Sequence, residues 1–171
     1  LIDQCIDYMT ISSHKLGGPK GIAGIYVKKD AAIKPLLHGG GQEKNLRSST
    51  QSFPLISSFT RAVKEGIDSL DVEYNRVHDI CSKIRKALEE NIPGVIFPFS
   101  NSGKCSVSPY ILTFVVPGIS SDIILRHMEQ EEIYLSSTSA CSSKIKGENS
   151  VFKGLGIDKN YHKNVLRISF S

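Results

Sequence analysis

A lysine and a cysteine, far apart in the sequence, sit among residue types suited to covalent chemistry. Lys15 follows an apolar segment, CIDYMTIS (5–12), and Ser12, Ser13 and His14, and precedes a Gly-Gly-Pro turn. A lysine on a short rigid loop behind a strand can be held and partly desolvated, which favours the neutral amine that Schiff-base chemistry needs. The small neighbours Ser12, Ser13, Gly17 and Gly18 leave room for a flat ring to approach the backbone. The same residues also describe a surface lysine in a turn, the commoner fate of lysine. Cys141 lies in a run of small polar residues, SSTSACSS (136–143). Such a run cannot build a core, so its thiol is expected to be exposed and mobile, able to collect an atom in one place and deliver it in another. Lys144 and Lys146 would favour the thiolate modestly, because exposed charges are screened. An incidental loop cysteine fits these residues equally well.

Arg167 is a charge inside an alternating segment, NVLRISF (164–170). Opposite the Leu166, Ile168 and Phe170 face it could enter a cleft and clamp a carboxylate by two hydrogen bonds. Pairing with a local acid, or reaching water, is the alternative. Two glycine loops, GGPKG (17–21) and HGGGQE (38–43), have neither the Walker lysine–hydroxyl pair nor the G-x-G-x-x-G spacing of a nucleotide fingerprint. Arg47-Ser48-Ser49-Thr50 could still hold a phosphate through hydroxyls and backbone. Cys5, Cys81, Cys105 and Cys141 have no zinc-like spacing with one another or with the histidines, and no metal site is expected. Cys81 falls on an apolar helical stripe and reads as a small core residue.

These groups need a scaffold. Residues 5–12 and 22–27 read as two neighbouring strands, the second buried, and 30–34 as a short helix or turn. From about Pro54 to Asn91 the spacing predicts one long helix, with Val63, Ile67, Leu70, Tyr74, Val77, Cys81, Ile84 and Leu88 on one face. Gly66 weakens it, and Pro93-Gly94 end it. Strands are expected at 95–99, 110–116 and 133–137. A helix capped by Ser120 is expected to run through about Glu131, and a short one from Ser150 to close at Gly156. A last strand covers 164–170. From residue 54 onward this order fits a small α+β domain, a largely antiparallel sheet with covering helices. Residues 1–53 hold too little for an independent domain and read as the end of a larger α/β domain. Together with the start at Leu1, this reads as the continuation of a longer chain.

Bulk properties exclude several classes. The 171 residues are 40% hydrophobic and 22% charged, as in ordinary globular proteins, and no apolar run is long enough to span a bilayer. The net charge of +4 is spread along the chain, which argues against direct nucleic-acid binding. A lysine-rich chain with no signal-peptide pattern suits a reducing, cytoplasmic setting, where a cysteine can be a working thiol.

Four motifs in order, SSHKLGGPKGIAGIYV (12–27), HGGGQEKNLRSST (38–50), SSTSACSS (136–143) and LRISFS (166–171), resemble the cysteine desulfurases of the class V aminotransferase fold. The likeness spans essentially the whole chain but only the C-terminal part of such an enzyme. It implies fold type I, with the end of the cofactor-binding large domain at 1–53 and the small C-terminal domain at 54–171. By the same resemblance Lys15 bonds covalently to pyridoxal 5'-phosphate, and Ser12 and His14 bind its phosphate. Thr50 reaches the phosphate in the other subunit of a homodimer, Arg167 binds the carboxylate of L-cysteine, and Cys141 becomes persulfidated. The implied reaction converts L-cysteine to L-alanine and passes sulfur to an acceptor or scaffold protein, for iron–sulfur cluster assembly or tRNA thiolation. Thr138 and Ser49 stand where such enzymes commonly have glycine. The histidine, Asp and Gln that complete the cofactor site would lie upstream of Leu1, so this chain alone is expected to bind cofactor poorly and to be inactive. The other readings are a selenocysteine lyase or transaminase of the same fold, and a folded domain without catalysis of its own.

Overall fold

The computed structural model describes residues 6–98, 107–137, 150–154 and 156–170. Cys5, Cys105, Thr138, Cys141, Lys144 and Lys146 lie outside the described residues. The chain divides into two compact units, Leu1–Leu70 and Asp71–Ser171.

In the first unit β1 (Tyr8–Ser12) and β2 (Ala23–Val27) form an antiparallel hairpin, with Tyr8 opposite Val27 and Ser12 opposite Ala23. Its connection opens with a single 3-10 turn, Ser13–Leu16. Gly17 ends that turn at φ +77°, a conformation that glycine adopts without strain. The long α1 (Phe53–Asp68) covers one face of the hairpin, where a Cβ on Gly24 would lie only 3.3 Å from the Phe59 ring. On the other face Ile25 is 54% exposed among the described residues, so the burial expected of β2 is not met at that position. Residues 30–34 form no helix; the Ala31 N–H closes a turn on the Lys28 carbonyl at 3.0 Å, and Asp30 takes φ +69°.

The single helix expected over 54–91 is two, α1 and α2 (Leu70–Asn91). At the break the N–H and the Oγ of Ser69 both donate to the Glu65 carbonyl, at 3.1 and 2.9 Å, and Ser69 takes φ −101° and ψ 0°. The apolar stripe splits accordingly. Ile67 and Leu70, 67% and 56% exposed, sit at the break, whereas Val77, Cys81, Ile84 and Leu88 serve the core of the second unit.

That unit is built on β3 (Ile111–Val115) and β4 (Val165–Ser169), antiparallel, with Thr113 opposite Arg167 and Val115 opposite Val165. The flanking strands expected at 95–99 and 133–137 are reduced to single bridges, Ile96 with Val115 and Ser136 with Arg167. Each still extends the sheet by one antiparallel partner, so β4 lies between β3 and Ser136. Leu112, Phe114 and Leu166 line one face, under Ile84 and Leu88 of α2 and Ile124 and Leu125 of α3 (Ser121–Gln130). On the opposite face Val115 and Val165 are covered at one end by Phe152 of α4 (Ser150–Gly154) and by Ile157. Ser120 stands at the N-cap of α3 in extended conformation, but its side chain makes no capping bond. Gly156 takes φ +69°, and its N–H bonds to the Lys153 carbonyl at 3.1 Å, closing α4 where the sequence places the stop.

Leu166 is 1% exposed at the centre of this core, with neighbours from both the helices and the sheet. Leu166→Ala is expected to cost about 2–5 kcal/mol. Denaturant unfolding of the protein checks this, and a loss well under 1 kcal/mol would mean that the core is organised differently.

Candidate functional site

The lysine-bearing turn is fixed through its backbone. Ser13 N–H donates to the Ile22 carbonyl at 3.2 Å, and the Ser13 carbonyl accepts from Gly17 N–H and, at 3.0 Å, from Gly18 N–H. Lys15 and His14 project from this closed turn and are exposed. The desolvation expected for Lys15 is therefore not found, because nothing among the described residues covers it. Ser12, on the last residue of β1, is half-buried beside them. An amine, an imidazole and a hydroxyl are thus carried by neighbouring residues at the end of β1 and in the turn that follows it.

The second glycine loop is held by its own backbone. Ser48 N–H donates to the Leu37 carbonyl at 3.2 Å, and Gly41 N–H reaches Ser48 Oγ at 3.4 Å. Between them Glu43, Lys44 and Asn45 all take left-handed angles, φ +50°, +56° and +65°. For residues other than glycine this conformation costs roughly 1–2 kcal/mol each, somewhat less for Asn. The strain is restrained by Asn45 N–H, which donates to the Gly41 and Gln42 carbonyls, and by Gln51 Nε2, which donates to Glu43 Oε1 at 3.0 Å. Conformations of this kind persist where surrounding structure imposes them, and they concentrate at functional loops. Beyond this turn Arg47 donates to Ser49 Oγ, and Thr50 is exposed.

In the second unit the β3–β4 register sets Arg167 on the face that carries Val115 and Val165, beyond the end covered by Phe152. Its backbone is held on both sides. Thr113 is its partner in β3, while its N–H donates to the Ser136 carbonyl at 2.7 Å and its carbonyl accepts from Ser136 N–H at 3.2 Å. The side chain is half-buried, and Nε is wholly buried with no acceptor among the described residues. A buried donor left unpaired costs about 1–3 kcal/mol. Two cavities of this unit, of about 110 and 450 Å³, are lined by neither Arg167 nor Ser136.

Two further buried side-chain atoms lack partners among the described residues, Ser13 Oγ and Gln42 Oε1. Each of the three lies in one of the sequence motifs. Ser13 and Gln42 were not singled out by residue type, since serine and glutamine are unremarkable in loops. Their signal was position, one flanked by Ser12 and His14 and the other closing a triple glycine.

Among the described residues no cluster of His, Cys, Asp and Glu could hold a metal ion, and no helix is long and apolar enough to cross a membrane. The set of Lys15, His14 and Ser12 suits a phosphorylated aldehyde. The amine can bond to the carbonyl carbon, and the imidazole and hydroxyl can donate to phosphate.

The fold is shared with solved NifS-like proteins. A "NIFS-LIKE PROTEIN" superposes with TM-score 0.78 at 29% identity, covering 97% of this chain and 41% of that one. The NifS-like protein from Rickettsia africae superposes with TM-score 0.78 at 26% identity, covering 96% and 42%. Residues 2–171 match the family described as Aminotransferase class-V, and the chain belongs to that family. Among curated relatives, the "NifS/IcsS protein homolog" of Lactobacillus delbrueckii subsp. bulgaricus is 35% identical over 166 residues, 96% of this chain and 42% of that protein. The mitosomal cysteine desulfurase of Encephalitozoon cuniculi is 31% identical over 164 residues, 95% and 37%. The chain thus spans about two fifths of the length of these relatives.

Cys81 differs from a working thiol in a way that can be measured. Burial among the α2 and sheet side chains pushes it above the ordinary thiol value, and Arg85 pulls it only partly back. Above pH about 8.5 the unfolded chain gives up this proton before the folded chain does, so the Cys81 contribution to stability is lost as pH rises and intact below. Urea unfolding at neutral and alkaline pH is expected to show a smaller alkaline loss in Cys81→Ala than in the parent. Equal losses would mean that Cys81 is not protected.

Proposed function

We propose that the protein is a pyridoxal-phosphate-dependent cysteine desulfurase, in which Lys15 binds the cofactor, Arg167 binds the carboxylate of L-cysteine and Cys141 accepts the sulfur. The observation that carries this reading is the buried, unpartnered Nε of Arg167 on a strand edge paired with Ser136. An always-charged guanidinium with an unpaired donor is matched by a carboxylate, which accepts two parallel hydrogen bonds. Ser136 is five residues before Cys141 in the sequence, and a chain of that length extends at most about 18 Å. The bridge beside Arg167 therefore bounds how far Cys141 can lie from it.

Each residue then has a defined task. Arg167 anchors and orients the substrate by its carboxylate. Ser12 and His14 donate to the cofactor phosphate, and Thr50 does so in the partner subunit of a homodimer. When bound, the cofactor withdraws electrons from the substrate's α-carbon. The Lys15 amine takes and returns protons at carbon. The Cys141 thiolate attacks the substrate sulfur; the carbon–sulfur bond breaks, its electron pair stays with carbon, and protonation gives L-alanine. Sulfur remains on Cys141 as a persulfide for transfer to an acceptor or scaffold protein, serving iron–sulfur cluster assembly or tRNA thiolation in the cytoplasm. Residues 1–53 belong in this reading to the large cofactor domain and 54–171 to the small C-terminal domain.

In the complete gene product, Cys141→Ser is expected to abolish sulfur transfer from L-cysteine while leaving the visible absorbance of bound cofactor intact. Arg167→Lys is expected to raise KM for L-cysteine by roughly tenfold or more, because the two-point contact is lost. Normal sulfur release by Cys141→Ser would remove its assigned role, and faster amino transfer to a keto acid than alanine release from cysteine would favour a transaminase.

A further inference from the structure

Lys15 is exposed, and among the described residues no hydrogen bond or ion pair holds its side chain, so its placement depends on the backbone beneath it. That backbone rests on Ser13, which is wholly buried although its Oγ has no partner among the described residues. The hydroxyl fills the space beside Gly18. A Cβ on Gly18 would lie 2.2 Å from Ser13 Oγ, 3.2 Å from the Ser13 carbonyl oxygen and 3.1 Å from the Cβ of Ala62 on α1. Real Cβ atoms do not approach as closely as the first distance, and the Ala62 side blocks retreat. Gly18 is required here by space, since its neighbour Gly17 has nothing within 4 Å and is required by its φ alone.

We propose that Ser13, Gly18 and Ala62 form a steric lock that fixes the 3-10 turn against α1, and that they act as positioning residues for Lys15. This rests on the reading of Lys15 as the residue that bonds to the cofactor. The backbone hydrogen bonds from Gly17 and Gly18 to the Ser13 carbonyl close the turn, and the three small residues prevent that closed turn from sliding along α1. A larger side chain at Gly18 or Ala62 displaces the turn and carries the Lys15 Cα with it.

The test compares Gly18→Ala, Ser13→Ala and the double variant in the complete gene product. Three readouts are taken: the thermal midpoint, the rate of acylation at Lys15 relative to Lys20 in cofactor-free protein, mapped by mass spectrometry, and the affinity for pyridoxal phosphate. Gly18→Ala is expected to change the relative acylation of Lys15 and to weaken cofactor affinity by roughly tenfold or more, since misplacement by about an ångström has effects of this size. Removing the hydroxyl makes room, so the double variant recovers both properties, and Ser13→Ala alone, which loosens the lock without pushing on the turn, shifts Lys15 acylation less than Gly18→Ala does. Ala62→Val, pressing from the other side, repeats the loss and replaces Gly18→Ala should that variant not fold. The lock is overturned if the variant at Gly18 or Ala62 matches the parent at Lys15, or if the double variant regains the midpoint but not the Lys15 properties. A parent that takes up cofactor on a different lysine defeats the reading of Lys15 itself, which is a separate outcome.

Discussion

The register of β3 against β4 is the constraint on which the second unit depends. With Thr113 opposite Arg167 and Val115 opposite Val165, the alternation of side chains sends Leu112, Phe114 and Leu166 into the helix-covered core and Arg167 to the other face. A slip of one residue would exchange those faces and drive a guanidinium into an apolar core. Burial of Leu166 and Val165, each 1% exposed, holds the register from both sides of the sheet. The arginine thus owes its position to its apolar neighbours in sequence. The same strand, through the Ser136 bridge, sets where the run leading to Cys141 departs.

A second pattern runs through both units. Among the described residues, the buried polar atoms without partners are Ser13 Oγ, Gln42 Oε1 and Arg167 Nε. Native interiors rarely leave such groups unpaired, and where they do the reason is often an incoming ligand or a space that must be filled. Ser13 fits the second reason, because its hydroxyl occupies the volume that Gly18 leaves open, and the proposed role of Arg167 would supply the first. Near Gln42 the left-handed run Glu43–Asn45 adds backbone strain to the same loop. The chain thus spends stability in the motifs that the functional reading uses.

Local sequence pattern was informative where one element could satisfy it alone. The hairpin strands, the α3 boundaries, the closing strand and the turns at Gly17 and Gly156 follow from periodicity and glycine chemistry. It failed where competition decided. The helical stripe through Val63 and Leu88 continues across Ser69 in sequence, but the backbone leaves the helix at Ser69, with φ −101° and ψ 0°. The segments around Ile96 and Ser136 have the composition of strands yet pair through single bridges, since pairing length depends on neighbours distant in sequence. Ile25 is exposed for a similar reason, because an apolar run records a preference for burial and not what covers it. For the site, the motifs pointed to Lys15, Arg167 and Cys141, but the space beneath Lys15 could be seen only once Gly18 and Ala62 were brought together by the fold.

The central claim is that the turn after β1 presents Lys15 as the attachment point for a phosphorylated aldehyde. Incubating the complete protein with pyridoxal phosphate, reducing it with borohydride and mapping the modified peptides tests this directly. A single stoichiometric label on Lys15, lost in Lys15→Ala, is the predicted result. A label spread over the exposed lysines, or concentrated at another lysine, would contradict it.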